Sequence, residues 1–213
     1  MARIASEALI ERLADWGVDT VFCMPGEGIS GIVEGLRRHQ DRVRFVQAPG
    51  EEAAARLASG YARATGRIGV CLATPGPGDL HLLNGLHDAT LDHAPVLAIT
   101  GLPDQLYADV TCYDQTILDP LQIPEVTDLA VRTAYARFGV AHIAVPDGIQ
   151  VAAADPGDAG PDELPRPGQR PAQRLGRQSG RRFDRRPGRR LGQPRRAAIP
   201  TTLLRGRIQP PRS

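Results

Sequence analysis

The chain of 213 residues has no lysine at all; its 26 basic residues are all arginine. A Walker-type phosphate loop, which needs a lysine to reach the phosphates, is therefore excluded. No run of about 18 apolar residues occurs, so no segment reads as a bilayer-spanning helix. The N-terminal stretch MARIASEALIERLADWG is charged and amphipathic. It lacks the continuous apolar stretch of a secretory signal, and a cytoplasmic protein is expected. Cysteine is scarce: Cys23, Cys71 and Cys112 stand far apart. Their spacing fits neither a disulfide framework nor a zinc site, so they read as buried or half-buried free thiols.

The charge is unevenly placed. Residues 1–150 hold 11 Arg against 19 Asp and Glu, whereas residues 151–213 hold 15 Arg against 5. The near-neutral net charge of +2 thus joins an acidic part to a basic one. Residues 151–213 contain nine Leu, Ile, Val or Phe and 18 Pro or Gly, too few large apolar groups to offset the entropy of ordering. A disordered Arg/Pro/Gly-rich tail is expected. Its paired arginines have the look of a nucleic-acid-binding tail. The bland alternatives are a solvated tail without a role, or GC-rich codons read out of frame.

Residues 1–150 carry clear periodicity. SEALIERLADWG places Ala8, Leu9, Leu13 and Trp16 at helical spacing and ends at Gly17. Strands DTVFCM, VRFVQ, IGVCLAT, APVLAIT, VTCYDQTI and VAHIAV alternate with further helices. Among these helices, EEAAARLASGYARATG closes at Gly66. The strands are mostly continuous apolar runs, which predicts a doubly wound parallel sheet with helices on both faces, an α/β domain over 1–150. Ligands of such sheets sit beyond the carboxyl ends of the strands. That rule directs attention to three turns: Pro25–Gly28, Pro49–Glu52 and Thr74–Gly78.

Glu51-Glu52 opens a helix. Acids in a first turn compensate the helix dipole, and the same position also suits a carboxylate handling protons over a cleft. Thr74-Pro-Gly-Pro-Gly78 removes side chains where a strand enters a helix. It reads either as a tight turn or as a place where a flat ligand meets bare backbone. From the residues alone the domain is a ligand-binding α/β unit whose ligand stays open.

Three segments together, DWGVDTVFCMPGEGISGIVEGLRR, EEAAARLASGYARATGRIGVCLATPGPG and HLLNGLHDATLDHAPVLAITG, closely resemble one family. It is the N-terminal pyrimidine-binding domain of thiamine-diphosphate-dependent enzymes, which include acetolactate synthase, pyruvate oxidase, benzoylformate decarboxylase and pyruvate decarboxylase. The resemblance covers roughly residues 3–150, and HLLNGL-x-DA-x-x-DHAPVLAITG looks nearer the pyruvate oxidase branch. It implies that Glu51 hydrogen-bonds N1′ of the cofactor's aminopyrimidine. A carboxylic acid there favours the imino tautomer and so prepares the thiazolium C2 for proton loss. The cofactor then serves as electron sink in decarboxylation of a 2-oxo acid such as pyruvate. Thr74, Pro77 and His81 match positions lining the aminopyrimidine pocket. Glu27 stands where some decarboxylases of the family place an acid in the proton relay. Glu52, Asp88 and His93 are expected to be structural, packing or capping.

The resemblance also implies thiamine diphosphate with Mg²⁺, FAD in full-length relatives of the oxidase branch, and homo-oligomers. In these the active site forms between the pyrimidine domain of one subunit and the diphosphate domain of another. The sequence departs from the family pattern in several places. Pro49-Gly50 replaces the His usual before the acid, which is expected to loosen the turn. Pro75 replaces a small hydroxyl residue, Cys23 a glycine, and the connection from Gly101 to Val110 is short. No Gly-Asp-Gly occurs in the chain. The family's hard oxygen ligands for Mg²⁺ are therefore missing, and half a cofactor site is expected. The leading expectation is the pyrimidine-binding portion of a 2-oxo acid decarboxylating enzyme, truncated or frameshifted after about Ala154 and inactive alone. The alternatives are one subunit of a split enzyme completed by a partner chain, or a non-catalytic α/β module with an Arg-rich nucleic-acid-binding tail. Neither nucleic acid nor a membrane is the expected partner.

Overall fold

The computed structural model describes residues 3–102 and 105–154. The expected tail beyond Ala154 lies outside the described residues. Helix α1 (Ala5–Asp15) buries Leu9 and Leu13, and Trp16 just beyond it, along one stripe, as the spacing predicts. It ends in a Schellman motif: Val18 N–H donates to Leu13 O at 3.0 Å and Gly17 N–H to Ala14 O at 2.9 Å, with Gly17 at φ 81°.

Six strands follow in alternation with helices: β1 (Thr20–Cys23), β2 (Arg44–Gln47), β3 (Gly69–Ala73), β4 (Val96–Thr100), β5 (Tyr113–Thr116) and β6 (Val140–Ala144). Their order is β2-β1-β3-β4-β6-β5, and every pairing is parallel. The intervening helices are α2 (Ser30–Arg38), α3 (Glu51–Thr65), α4 (Pro77–Leu91) and α5 (Ile123–Arg137), and α6 (Asp147–Gln150) follows β6.

Strands β1, β3, β4 and β6 are buried throughout because helices cover both faces. Successive residues serve opposite cores. Val21, Cys23, Val70, Leu72, Leu97 and Ile99 pack with α1, α2 and α5. Phe22, Cys71, Ala73, Val96 and Ala98 pack with α3 and α4. Strands β2 and β5 are the sheet edges and are partly exposed. The doubly wound architecture is thus as the sequence predicts. The ends of the unit meet: Ile4 and Ala153 form an antiparallel bridge, and Ala154 N–H donates to Arg3 O at 3.0 Å.

Candidate functional site at the carboxyl ends of the strands

From β1 the chain runs to β2 on one side and then returns to β3 on the other. The strand order reverses at β1, which opens a crevice beyond its carboxyl end. The three turns singled out from sequence lie there. A Cβ on Gly26 would lie 2.5 Å from Thr74 Cγ2, so the first and third turns touch.

Glu51 is the first residue of α3, and its side chain is only 12% exposed. Thr74 Oγ1 donates to Glu51 Oε1 at 3.4 Å, and His81 Nδ1 lies 3.7 Å from Glu51 Oε2. Gly78, in the first turn of α4, brings bare backbone to the same carboxylate: a Cβ there would lie 2.8 Å from Glu51 Oε1. The result is a nearly buried carboxylate beside a hydroxyl and a side-chain-free stretch of backbone, at the N-terminus of a helix.

Gly50, expected to loosen this turn, precedes Glu51 in extended backbone. Its φ of 179° is extended backbone open to any residue, and its carbonyl accepts Ala54 N–H at 3.0 Å to start α3. Pro77 occupies the first position of α4, where its missing N–H costs nothing, and it is exposed. His81 is exposed except where it faces Glu51. Glu27 is exposed and makes no hydrogen bond or ion pair among the described residues, so the structure does not bring it to Glu51 through any contact.

Glu52 pairs with Arg56 at 2.9 Å. Hydrogen bonds from Asn84 and then Arg56 hold its carboxyl below the usual range. Asp88 pairs with Arg56 at 3.4 Å. A cavity of about 630 Å³ runs along α2 and the outer edge of β2. Pro25 and Gly26 touch its end, but Glu51, Thr74 and His81 do not line it.

Sequence reasoning passed over a buried network that joins β4, β5 and β6. His142, on β6, is fully buried and stacks on Tyr107 with ring centroids 3.8 Å apart. Its Nδ1 lies 2.7 Å from Asp114 Oδ1 and its Nε2 2.9 Å from Thr100 Oγ1. Thr100 in turn donates to Leu102 O at 2.8 Å, and Tyr107 donates to Asp79 O at 3.2 Å. A single His inside the apolar run VAHIAV gives no sign of these partners.

Residues 3–123 match the family model described as thiamine pyrophosphate enzyme, N-terminal TPP binding domain. The chain belongs to that family. It is 39% identical over 158 residues to a pyruvate oxidase of Lactiplantibacillus plantarum, covering 67% of this chain and 26% of the relative. An acetolactate synthase of Brassica napus is 34% identical over 179 residues, covering 76% of this chain and 27% of the relative. A further acetolactate synthase, from Mycobacterium bovis, is 43% identical over 96 residues, covering 45% of this chain and 15% of the relative. The chain thus spans about a quarter or less of the length of these relatives. Among the described residues no helix is long and apolar enough to cross a membrane.

Proposed function

We propose that residues 1–150 form the pyrimidine-binding half of a thiamine diphosphate site in an enzyme that decarboxylates a 2-oxo acid such as pyruvate. The observation that carries this reading is the nearly buried Glu51 carboxylate, held beside Thr74 Oγ1 with the side-chain-free backbone of Gly78 against it. A flat heterocycle needs bare backbone on one side and a carboxyl group at its edge, and a Cβ at Gly78 would crowd the Thr74 hydroxyl and the Glu51 carboxylate that form that edge. When bound, thiamine diphosphate supplies the electron sink for loss of the carboxylate.

The chain's own residues bind and move protons. Glu51 would share a proton with a ring nitrogen of the bound pyrimidine, and Thr74 Oγ1 donates to that carboxylate and orients it. His81 stands at the open side, where it is placed to exchange protons with Glu51. Pro77 forms the wall at the start of α4. Glu27, exposed on the first turn, is the candidate for a later proton transfer to substrate.

The Mg²⁺ and diphosphate site lies outside this reading of the chain, which contains no Gly-Asp-Gly. Activity therefore requires a diphosphate-holding domain, supplied by a partner chain or by further sequence, and FAD belongs to such a fuller assembly. Identity to the pyruvate oxidase over 158 residues supports the oxidase branch.

Two titrations test the proposal. Thiamine added at millimolar concentration should shift the backbone amide resonances of Thr74 and Gly78 in the wild type and not in Glu51→Gln. Calorimetry with thiamine diphosphate and Mg²⁺ should show no tight binding to the chain alone. A silent wild type removes the pyrimidine site, and tight Glu51-dependent binding removes the half-site.

A further inference from the structure

The first turn of the site is gripped from beyond the region that the family model matches. Gln150, the last residue of α6, is fully buried. Its Nε2 donates to Gly28 O at 2.7 Å and to Val145 O at 2.8 Å. Its Oε1 accepts from Ile32 N–H at 3.3 Å. Helix α2 has Ile29 at its N-cap and no side-chain cap of its own. The N–H groups of a first helical turn need partners from elsewhere, and Gln150 supplies one from across the fold.

The carboxamide has little room to swing, because a Cβ on Gly31 would lie 2.6 Å from Gln150 Cβ. Its backbone is tied as well, with Ser6 Oγ donating to Gln150 O at 2.8 Å. Gly28 meets the third turn and the residue that follows β4. A Cβ on it would lie 2.5 Å from Pro75 Cγ, and its carbonyl lies against Gly101, where a Cβ would overlap it. Gly28 holds φ 79°, a conformation that side chains rarely adopt and that packing must maintain.

We propose that Gln150 is a positioning residue of the cofactor site: its carboxamide holds the Gly28 carbonyl, sets the first turn against Pro75 and Gly101, and so keeps Thr74 in register with Glu51. This rests on the reading that these turns bind the aminopyrimidine. Removing the amide takes this donor from the buried Val145 carbonyl and the part-buried Gly28 carbonyl, while both hydrophobic cores keep their side chains.

The test uses the full chain and Gln150→Met, which keeps the volume and removes all three bonds. The first readout is alkylation mapped by mass spectrometry. Cys23 lies two residues before Pro25, whereas Cys71 lies within β3. Cys23 should react about tenfold faster in the variant and Cys71 at an unchanged rate, since opening is local. An unchanged Cys23 overturns the clamp. The second readout is the thiamine titration. The variant should bind about tenfold more weakly, because the turn is no longer preorganised. If the wild type responds and the variant binds equally, the positioning role falls and the proposed function stands. A silent wild type removes both.

Val131→Ala, a cavity on α5, should leave both readouts unchanged; if it reproduces them, general loosening replaces positioning. Where Gln150→Met fails to fold, hydrogen exchange of the wild type decides. The Ile32 amide should exchange about tenfold more slowly than that of Ala53, at the same position of α3 where no side chain caps. Equal rates overturn the proposal.

Discussion

The α-carbon of Gly78 faces the Glu51 carboxylate so closely that a side chain would lie 2.8 Å from Oε1. Helices α3 and α4 thereby meet at the site through one carboxylate and bare backbone. Gly78→Ala should lower thiamine affinity about tenfold or more by displacing the Glu51 carboxylate and the Thr74 hydroxyl, with a smaller effect on Tm because alanine suits a helix. Amide-shift titration and thermal unfolding check both parts. An alanine variant that binds like the wild type would show that Glu51 has room to retreat.

The thiols should separate by burial. Burial first, and then the negative charge of Glu51, push the Cys23 thiol up to about 12. Complete burial raises Cys71 as well, with Cys23 adding to it. Cys112 is also raised by burial but is exposed. At pH 8 a thiol reagent should label Cys112 first, because the thiolate is the nucleophile and access is needed. In Glu51→Gln, Cys23 should react modestly faster, as only the smaller of its two causes is removed. Peptide mapping of the labelled chain reads each site.

Asp19 should shape the acid limb of stability. Burial raises its carboxyl, but hydrogen bonds from Tyr61 and Thr20 and the charges of Arg67 and Arg44 outweigh it, leaving the group below 3.8. A carboxyl depressed on folding stabilises above its unfolded value and loses that contribution as pH falls through its folded value. Asp19→Asn should therefore unfold less steeply with acid below about pH 4. The side chain is 47% exposed, so its cost at pH 7 should stay under about 1 kcal/mol. Urea unfolding across pH 2 to 7, on the order of that range, measures it.

Asp128 holds α5 to α1. It accepts from Arg12 Nε at 2.6 Å and from Trp16 Nε1 at 2.7 Å, with the Arg12 and Asp128 side chains 9% and 14% exposed. Asp128→Ala should cost about 3–5 kcal/mol, because a buried guanidinium loses its counter-charge. Denaturant unfolding at neutral pH gives the value, and a loss under about 1 kcal/mol would place the pair in effective solvent contact.

Much of this molecule was legible in one dimension. The alternation of strands and helices follows from apolar runs of five residues and stripes at helical spacing, and both are local patterns. So is the placement of the three turns, because Pro and Gly punctuate the chain there. Strand order was not legible: β6 inserts between β4 and β5 by a crossover that leaves no mark in sequence. The departure at Pro49-Gly50 suggests a looser turn, and the structure gives Gly50 an extended backbone that any residue could adopt. The consequence of that substitution depends on angles rather than on residue type.

The buried polar residues were the least legible. His142 and Gln150 look like stray polar groups, and each finds its partners on elements far away in sequence, 42 residues to Thr100 and 122 to Gly28. By itself the sequence determined the layers, the turns and the family, because these rest on local periodicity and on motif order. Only the tertiary structure decided that Gly78 meets Glu51, and that one carboxamide at the end of the fold holds the first turn. Such contacts depend on where the sheet brings distant backbone within hydrogen-bonding reach.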